Sequence, residues 1–346
     1  MSWFVTENDI KNWTATNKRR AEELLPLLVK KLILASSSPT QIDFPSGDSV
    51  AIGGWDGILD VESNSAFIPD GVSGWEFGTN ESVKPKADED YEKRTKVPGP
   101  LDSSASTFVF VTSRLWTKKD EWVAEQKAKN QWKNVMGINA SILSEWLEEC
   151  PAVHRWFAQI IGKREPSVKD IEQAWSDYKN ITQKELSIDF FLHERELEIS
   201  KINDFLTKGQ GVFRVFSSSR AEALGFVLAS IRANEVFSSR TLIIKSQESW
   251  DFMIENKIPL ILIPFGFSPA NIGAATAKNH LVISIEDQYL KDPDLTIERQ
   301  PRLQREAAIK LLGFSDNEVT ELYESTRGYL EPLLRHELLK PVDHIS

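Results

Sequence analysis

The chain has 346 residues, about twice the ~100 to 200 residues usual for one domain, so two cores are expected. With 41% hydrophobic and 27% charged residues it has a globular composition, and no apolar run reaches the roughly 18 residues of a spanning helix, so no membrane association is expected. A formal charge of −10 argues against a generic cationic coat for nucleic acid, whose nonspecific affinity comes from Lys and Arg on phosphates.

Positive charge is nevertheless clustered, in "NKRR", "VKKL" and "KPKADEDYEKRTK", which leaves room for a local basic groove. The start, "MSWFVTENDIKNW", lacks the basic and apolar segments of a secretory signal, and a cytosolic location is expected. One cysteine, Cys150, forms neither an intrachain disulfide nor a cysteine-rich zinc site, which fits a reducing compartment. All five histidines (His154, His193, His280, His336 and His344) follow residue 150, so histidine catalysis in the first part of the chain is excluded.

In chain order, "NKRRAEELLPLLVKKLILAS" carries Leu24, Leu27, Leu28 and Leu32 at helical spacing, interrupted by Pro26, and predicts an amphipathic helix. "SVAIGGWDGILDVE", "SGWEFGT" and "STFVFVTSR" are short, β-branched or aromatic and bounded by Gly, Pro or Ser, which predicts strands. "KADEDYEKRTK" between the last two predicts a helix, as do "KDEWVAEQKAKNQWKNV" and "SILSEWLEECPAVHRWFAQII" through their spacing of Trp, Leu and Val. Pro69, Asp70 and Gly71 read as a turn.

Nine of the eleven tryptophans lie at or before Trp156, which separates two kinds of core. The polar stretch around "GKREPSVKDIEQAWSDYKNITQKELS" marks the junction. The expected division is a first domain over 1–162, a helical linker over 163–188 and a second module over 189–346.

Phosphodiester hydrolysis with a hard cation needs converging carboxylates and a nearby positive group. Asp56 on the first strand and Glu76 on the second supply two acids, and Asp60, an even step from Asp56, shares its strand face. With helix "NKRRAEELL", strand "WEFGT", the Lys-bearing helix and strand "FVFVTSRLW", residues 1–162 resemble the PD-(D/E)XK restriction-endonuclease-like superfamily, especially the nuclease domains of bacterial antiviral STAND proteins.

The resemblance implies Asp56 and Glu76 as ligands of Mg²⁺ or Mn²⁺, with Asp60 the alternative first ligand and Glu22 or Glu23 completing the shell. The usual lysine two residues after the glutamate is missing, since Phe77 and Gly78 follow Glu76. Lys86 is the expected replacement, with Lys84 the other choice. Lys84, Lys93 and Arg94 are expected to meet nucleic acid, with Arg94 and Tyr91 able to orient the site. Packing is the expected role of Tyr91.

In the second module, "GVFRVFSSSRAEALGFVLASI" reads as strand, loop and helix, and "RTLIIKS", "IPLILIPF" and "HLVISIED" as further strands of a parallel sheet. This resembles a P-loop NTPase fold, yet "SSSRAEA" has no phosphate-cradling glycines or Gly-Lys-Ser/Thr, and "PLILIPF" ends in Pro264 and Phe265 where an acid is usual. No ATP binding is expected. The segment "REAAIKLLGFSDNEVTELYESTRGYLEPLLRHELL" resembles the helical lid of STAND proteins.

The expected fold is therefore α/β: a restriction-endonuclease-like mixed-sheet domain, then a parallel-sheet P-loop-like module with a helical lid. The expected function is an Mg²⁺-dependent DNA endonuclease, an effector in bacterial anti-phage defence whose second module regulates or assembles it. A homo-oligomer is an expected partner, with recognition supplied by a sensor partner or a missing C-terminal sensor region. The alternatives are a noncatalytic scaffold of nuclease-like fold and a nuclease acting on RNA.

Overall fold

The computed structural model describes residues 3–45, 54–63, 65–179, 185–286, 292–297 and 301–327. The chain divides into two compact units, Met1–Arg164 and Glu165–Ser346.

The first unit opens with α1 (Glu7–Thr16), fixed by a capping box in which Thr6 and Asp9 bond each other's backbone amides. Helix α2 (Lys18–Ser36) runs through Pro26, because a long apolar stripe outweighs one lost hydrogen bond. That stripe is Leu25, Leu28, Val29, Leu32 and Ile33, with Leu24 and Leu27 at its margin. Strands β1 (Gln41–Asp43), β2 (Gly57–Val61) and β3 (Gly71–Gly78) follow. The part of the predicted first strand over 49–53 lies outside the described residues.

Next come α3 (Val83–Lys96), β4 (Thr107–Thr112), α4 (Lys119–Lys127), β5 (Asn134–Ile138), α5 (Ala140–Glu149) and α6 (Pro151–Ile160). The sheet order is β1-β2-β3-β4-β5. The pairs β1–β2 and β2–β3 are antiparallel, and β3–β4 and β4–β5 parallel.

Two predicted helices are divided in the structure. The one over 119–135 ends at Lys127, turns at Asn130 with φ 50° and returns as β5. Asparagine tolerates the left-handed conformation, and Val135 and Ile138 gain buried places beside β4. The other splits at Cys150, where Pro151 cannot extend the helical ladder and instead starts α6. Helices α3 and α4 cover one face of the sheet through Val83, Ala87, Tyr91 and Trp122, packed with Phe108, Phe110 and Val135. Helix α2 lies against β3 from the other side.

The second unit begins with β6 (Val168–Asp170) and α7 (Ile171–Lys179). These residues were expected within a linker over 163–188, of which 180–184 lie outside the described residues. They belong instead to this fold: β6 pairs with a sheet strand, and Ile171, Trp175 and Tyr178 are core. The polar surface of α7 hides a four-residue apolar stripe.

Then follow α8 (Ile188–Leu192), α9 (Glu196–Lys208), β7 (Gly211–Ser217), α10 (Arg220–Arg232), α11 (Glu235–Ser238), β8 (Thr241–Ile244), α12 (Gln247–Met253), β9 (Ile261–Pro264), α13 (Ile272–Ala277), β10 (Leu281–Glu286) and β11 (Leu295–Ile297). The sheet order is β11-β7-β10-β9-β8-β6, parallel except where β6 joins β8. Helices α14 (Pro301–Leu312) and α15 (Asp316–Thr326) pack Ala307, Ala308, Val319 and Leu322 into the same core. The remainder of the predicted lid, from residue 328, lies outside the described residues. Both units are α/β with mixed sheets. Among the described residues no helix is long and apolar enough to cross a membrane.

Candidate active site

Strand alternation sends Trp75 and Phe77 to one face of β3 and Gly74, Glu76 and Gly78 to the face under α3. The two glycines leave room beside the acid. A Cβ on Gly74 would meet Trp55 at 2.7 Å, and one on Gly78 would meet Phe110 at 2.7 Å and Lys86 Cγ at 3.2 Å. Glu76 is thereby sunk beneath α3, with 3% of its surface exposed.

Asp56 comes from the turn just before β2 rather than from the strand. Its Oδ2 accepts from the Phe77 amide at 3.0 Å, so a side chain extends the β2–β3 ladder and holds this carboxylate next to Glu76. Helix α3 supplies the rest. Lys86, Asp90 and Arg94 recur every four residues and form one stripe. Lys86 Nζ donates to Asp90 Oδ1 at 2.7 Å, while Arg94 donates through Nε to Glu76 and through Nη2 to the Gly54 carbonyl. The guanidinium lies 4.9 Å from the Trp55 ring centre, a cation–π contact.

The electrostatics mark a surplus of negative charge. Burial, followed by the Asp56 charge, pushes the Glu76 carboxyl up to about 8 despite the opposing pull of Arg94. Burial also raises Asp90, again with Asp56 contributing and Lys86 opposing. Asp90 Oδ2 is buried without a hydrogen-bond partner among the described residues. Burial works against the Lys86 ammonium, yet the Asp90 hydrogen bond and the charges of Asp90, Glu89 and Glu76 hold its pKa above the usual lysine value.

Of the residues singled out from sequence, Asp56, Glu76, Lys86 and Arg94 come together. Asp60 does not: it pairs with Val72, four residues along the same strand edge from Asp56, which at ~3.3 Å per residue is roughly 13 Å away. Glu23 is exposed and bonded to Arg19 at 3.2 Å, whereas Glu22 reaches the end of β3 by accepting from Thr79 Oγ1 at 3.0 Å. Lys84 points to α4 and pairs with Glu125 at 2.6 Å. Lys93 is exposed.

Arg94, expected at a nucleic-acid surface, is buried instead, because it stands one turn beyond Asp90 on the inward stripe. Tyr91 packs against Phe108, its ring centre 5.2 Å away. Asp90 was missed from sequence although its i+4 spacing from Lys86 was a readable signal.

In the second unit two serines tie the loop from β7 to α10. Ser217 Oγ accepts from the Ser219 amide at 3.2 Å, and Ser219 Oγ from the Glu222 amide at 3.2 Å. Glu222 is buried and paired with Arg195 at 2.8 Å. Beyond Pro264 and Phe265 lies a cleft of about 60 Å³, also lined by Arg220, Ser284 and Glu286. Compared with known proteins, the chain matches no family model and no curated sequence.

Proposed function

We propose that the first unit is a nuclease domain of the PD-(D/E)XK type that hydrolyses DNA with Mg²⁺ or Mn²⁺. The observation that carries this reading is the meeting of Asp56, from the turn that leads into β2, and Glu76, from the adjacent antiparallel strand β3, under a helix whose Lys86 and Arg94 face them. Two carboxylates suit a hard cation, and the surplus acidity, with the orphaned Asp90 oxygen, is what a dication offsets. Among the described residues no group of three or more His, Cys, Asp or Glu is arranged to hold a metal. The proposed donors are Asp56 and Glu76, in keeping with the one or two carboxylates by which Mg²⁺ is usually held together with water and substrate phosphate.

When bound, the cation polarises a phosphoryl oxygen and lowers the pKa of water. The chain's own contribution is positional. Lys86, tethered by Asp90, keeps an ammonium beside the acids at the partly open edge of the site. Arg94 supplies positive charge to Glu76 from within, and Asp56 is oriented by the Phe77 amide. The second unit, with strand, loop and helix but no phosphate-cradling glycines in the loop, is proposed as a regulatory or assembly module. A role in defence against phage rests on the resemblance alone.

A second reading has its own support. The Glu76–Arg94–Gly54 linkage also stitches the turn before β2 to α3, which suits a noncatalytic scaffold. Supercoiled plasmid and RNA incubated side by side with the full chain and Mg²⁺ or Mn²⁺ separate the two. Metal-dependent nicking of DNA, lost in folded Asp56→Asn and Glu76→Gln, is the expected result. Wild-type nicking by folded Glu76→Gln overturns the assignment, and cleavage of RNA alone redirects it.

A further inference from the structure

A cavity of about 260 Å³ in the second unit is lined by Ala174, Tyr178, Ala221, Leu224 and Phe265, with Lys169, Lys245 and Asp177 as its charged groups. Lys245 follows the last residue of β8, Phe265 follows β9, and Ala221 and Leu224 lie on the first turns of α10 after β7. These strands belong to the parallel run of the sheet, and open α/β sheets bind ligands outside the carboxyl ends of their strands. The loop from β7 to α10 is not part of this lining.

The cavity is apolar at its base and cationic at its mouth. Tyr178 spends its hydroxyl on the Ala221 carbonyl, donating at 2.7 Å, and so fixes α7 to α10 across the cavity. Lys169 is bonded to Asp177, which balances one ammonium with one carboxylate. The Lys245 side chain adjoins Lys169, and burial together with that neighbour holds its pKa below the usual lysine value. Two ammonium groups thus share one carboxylate, which leaves one positive charge above an apolar hollow.

We propose that this cavity is a binding site for a small amphipathic anion, a carboxylate with a compact hydrocarbon or aromatic body, its head on Lys245 and its body against Leu224, Phe265 and Tyr178. Charge complementarity selects the head, and the volume limits the body, since pockets for drug-sized ligands span roughly 300–1,000 Å³. A neutral ligand of the same shape leaves the Lys245 charge uncompensated. A bare anion leaves the apolar lining wet.

Calorimetry and thermal melting of the full chain with octanoate, octanol, acetate and inorganic phosphate test this. Octanoate is expected to bind and raise the melting temperature, octanol to bind at least tenfold more weakly, and acetate and phosphate not to bind. Lys245→Gln should bring octanoate down to the level of octanol while leaving octanol unchanged, and Leu224→Trp should fill the cavity and abolish both. If Leu224→Trp does not fold, Lys245→Gln decides alone, because its side chain lies at the mouth of the cavity. Equal binding of octanoate and octanol, unchanged octanoate binding by Lys245→Gln, phosphate binding without octanoate binding, or no binding by the wild type overturns the proposal.

Discussion

Among the described residues each unit contains a buried arginine–glutamate pair, and the two pairs differ in what surrounds them. Arg195 meets Glu222 at 2.8 Å and lies 5.5 Å from the Phe226 ring centre. Arg94 meets Glu76 and lies 4.9 Å from the Trp55 ring centre. Glu222 stands in the first turn of α10, where the helix N-terminus favours an anion, so its charge is matched by guanidinium and backbone alike. Glu76 shares its surroundings with Asp56 and Asp90, whose charges oppose its ionisation. A buried ion pair by itself is weak evidence of anything but packing. The unmatched acids around one of the two distinguish a candidate site from a structural clamp.

The sharpest way to break that distinction is to neutralise both glutamates in parallel. Glu76→Gln should lower metal-dependent nicking by roughly a hundredfold or more, the scale for removing a charge aimed at the reaction, while Glu222→Gln should leave the rate unchanged and lower only the melting temperature. A folded Glu222→Gln protein without activity, beside an active Glu76→Gln, would reverse the roles assigned to the two pairs.

Lys86→Ala comes next. It should slow nicking by roughly a hundredfold but preserve Mn²⁺ binding measured by calorimetry, because an ammonium is no metal ligand. Lys84→Ala, already paired with Glu125 on the surface, should change only salt-dependent association with DNA. Activity lost in Lys84→Ala and kept in Lys86→Ala would exchange the two lysines.

A different readout is stability against pH. The Glu76 carboxyl ionises near 4.5 when unfolded and near 8 when folded. Between those values the native state holds a proton that the unfolded chain has lost, so stability falls as pH rises through that window. Glu76→Gln should flatten the decline in urea-melt midpoints between pH 5 and 8. An identical slope in wild type and variant would place the proton elsewhere.

Much of the first unit was legible because alternation and helical spacing are local signals. Glu76 and Lys86 were found through a strand and a helix that both formed, whereas Asp56 was read as a strand residue and stands in the turn one position before β2, so the even step that linked Asp60 to it was not a step along one strand. It carried no information on distance, which is why Asp60 lies too far away. Arg94 was assigned to a surface because a charged side chain near a helix end is usually solvated, and only the tertiary contact with Glu76 draws it inward. Strand β5 was hidden because Trp132 and Val135, three residues apart, read as a continuation of the helix that holds Trp122, and the left-handed Asn130 that separates them leaves little trace in a one-letter code. Residues 165–179 looked like a tether because their apolar members are few, yet each of those few is core.

The bare α-carbon of Gly78 gauges the gap between strand and helix. Phe110 and the stem of Lys86 occupy the volume that any side chain there would need. The depth of the charged pocket is therefore set by an atom that is not there: one added methyl would collide with the Phe110 ring and press on the stem of Lys86, detuning the site with every ionisable group still in place.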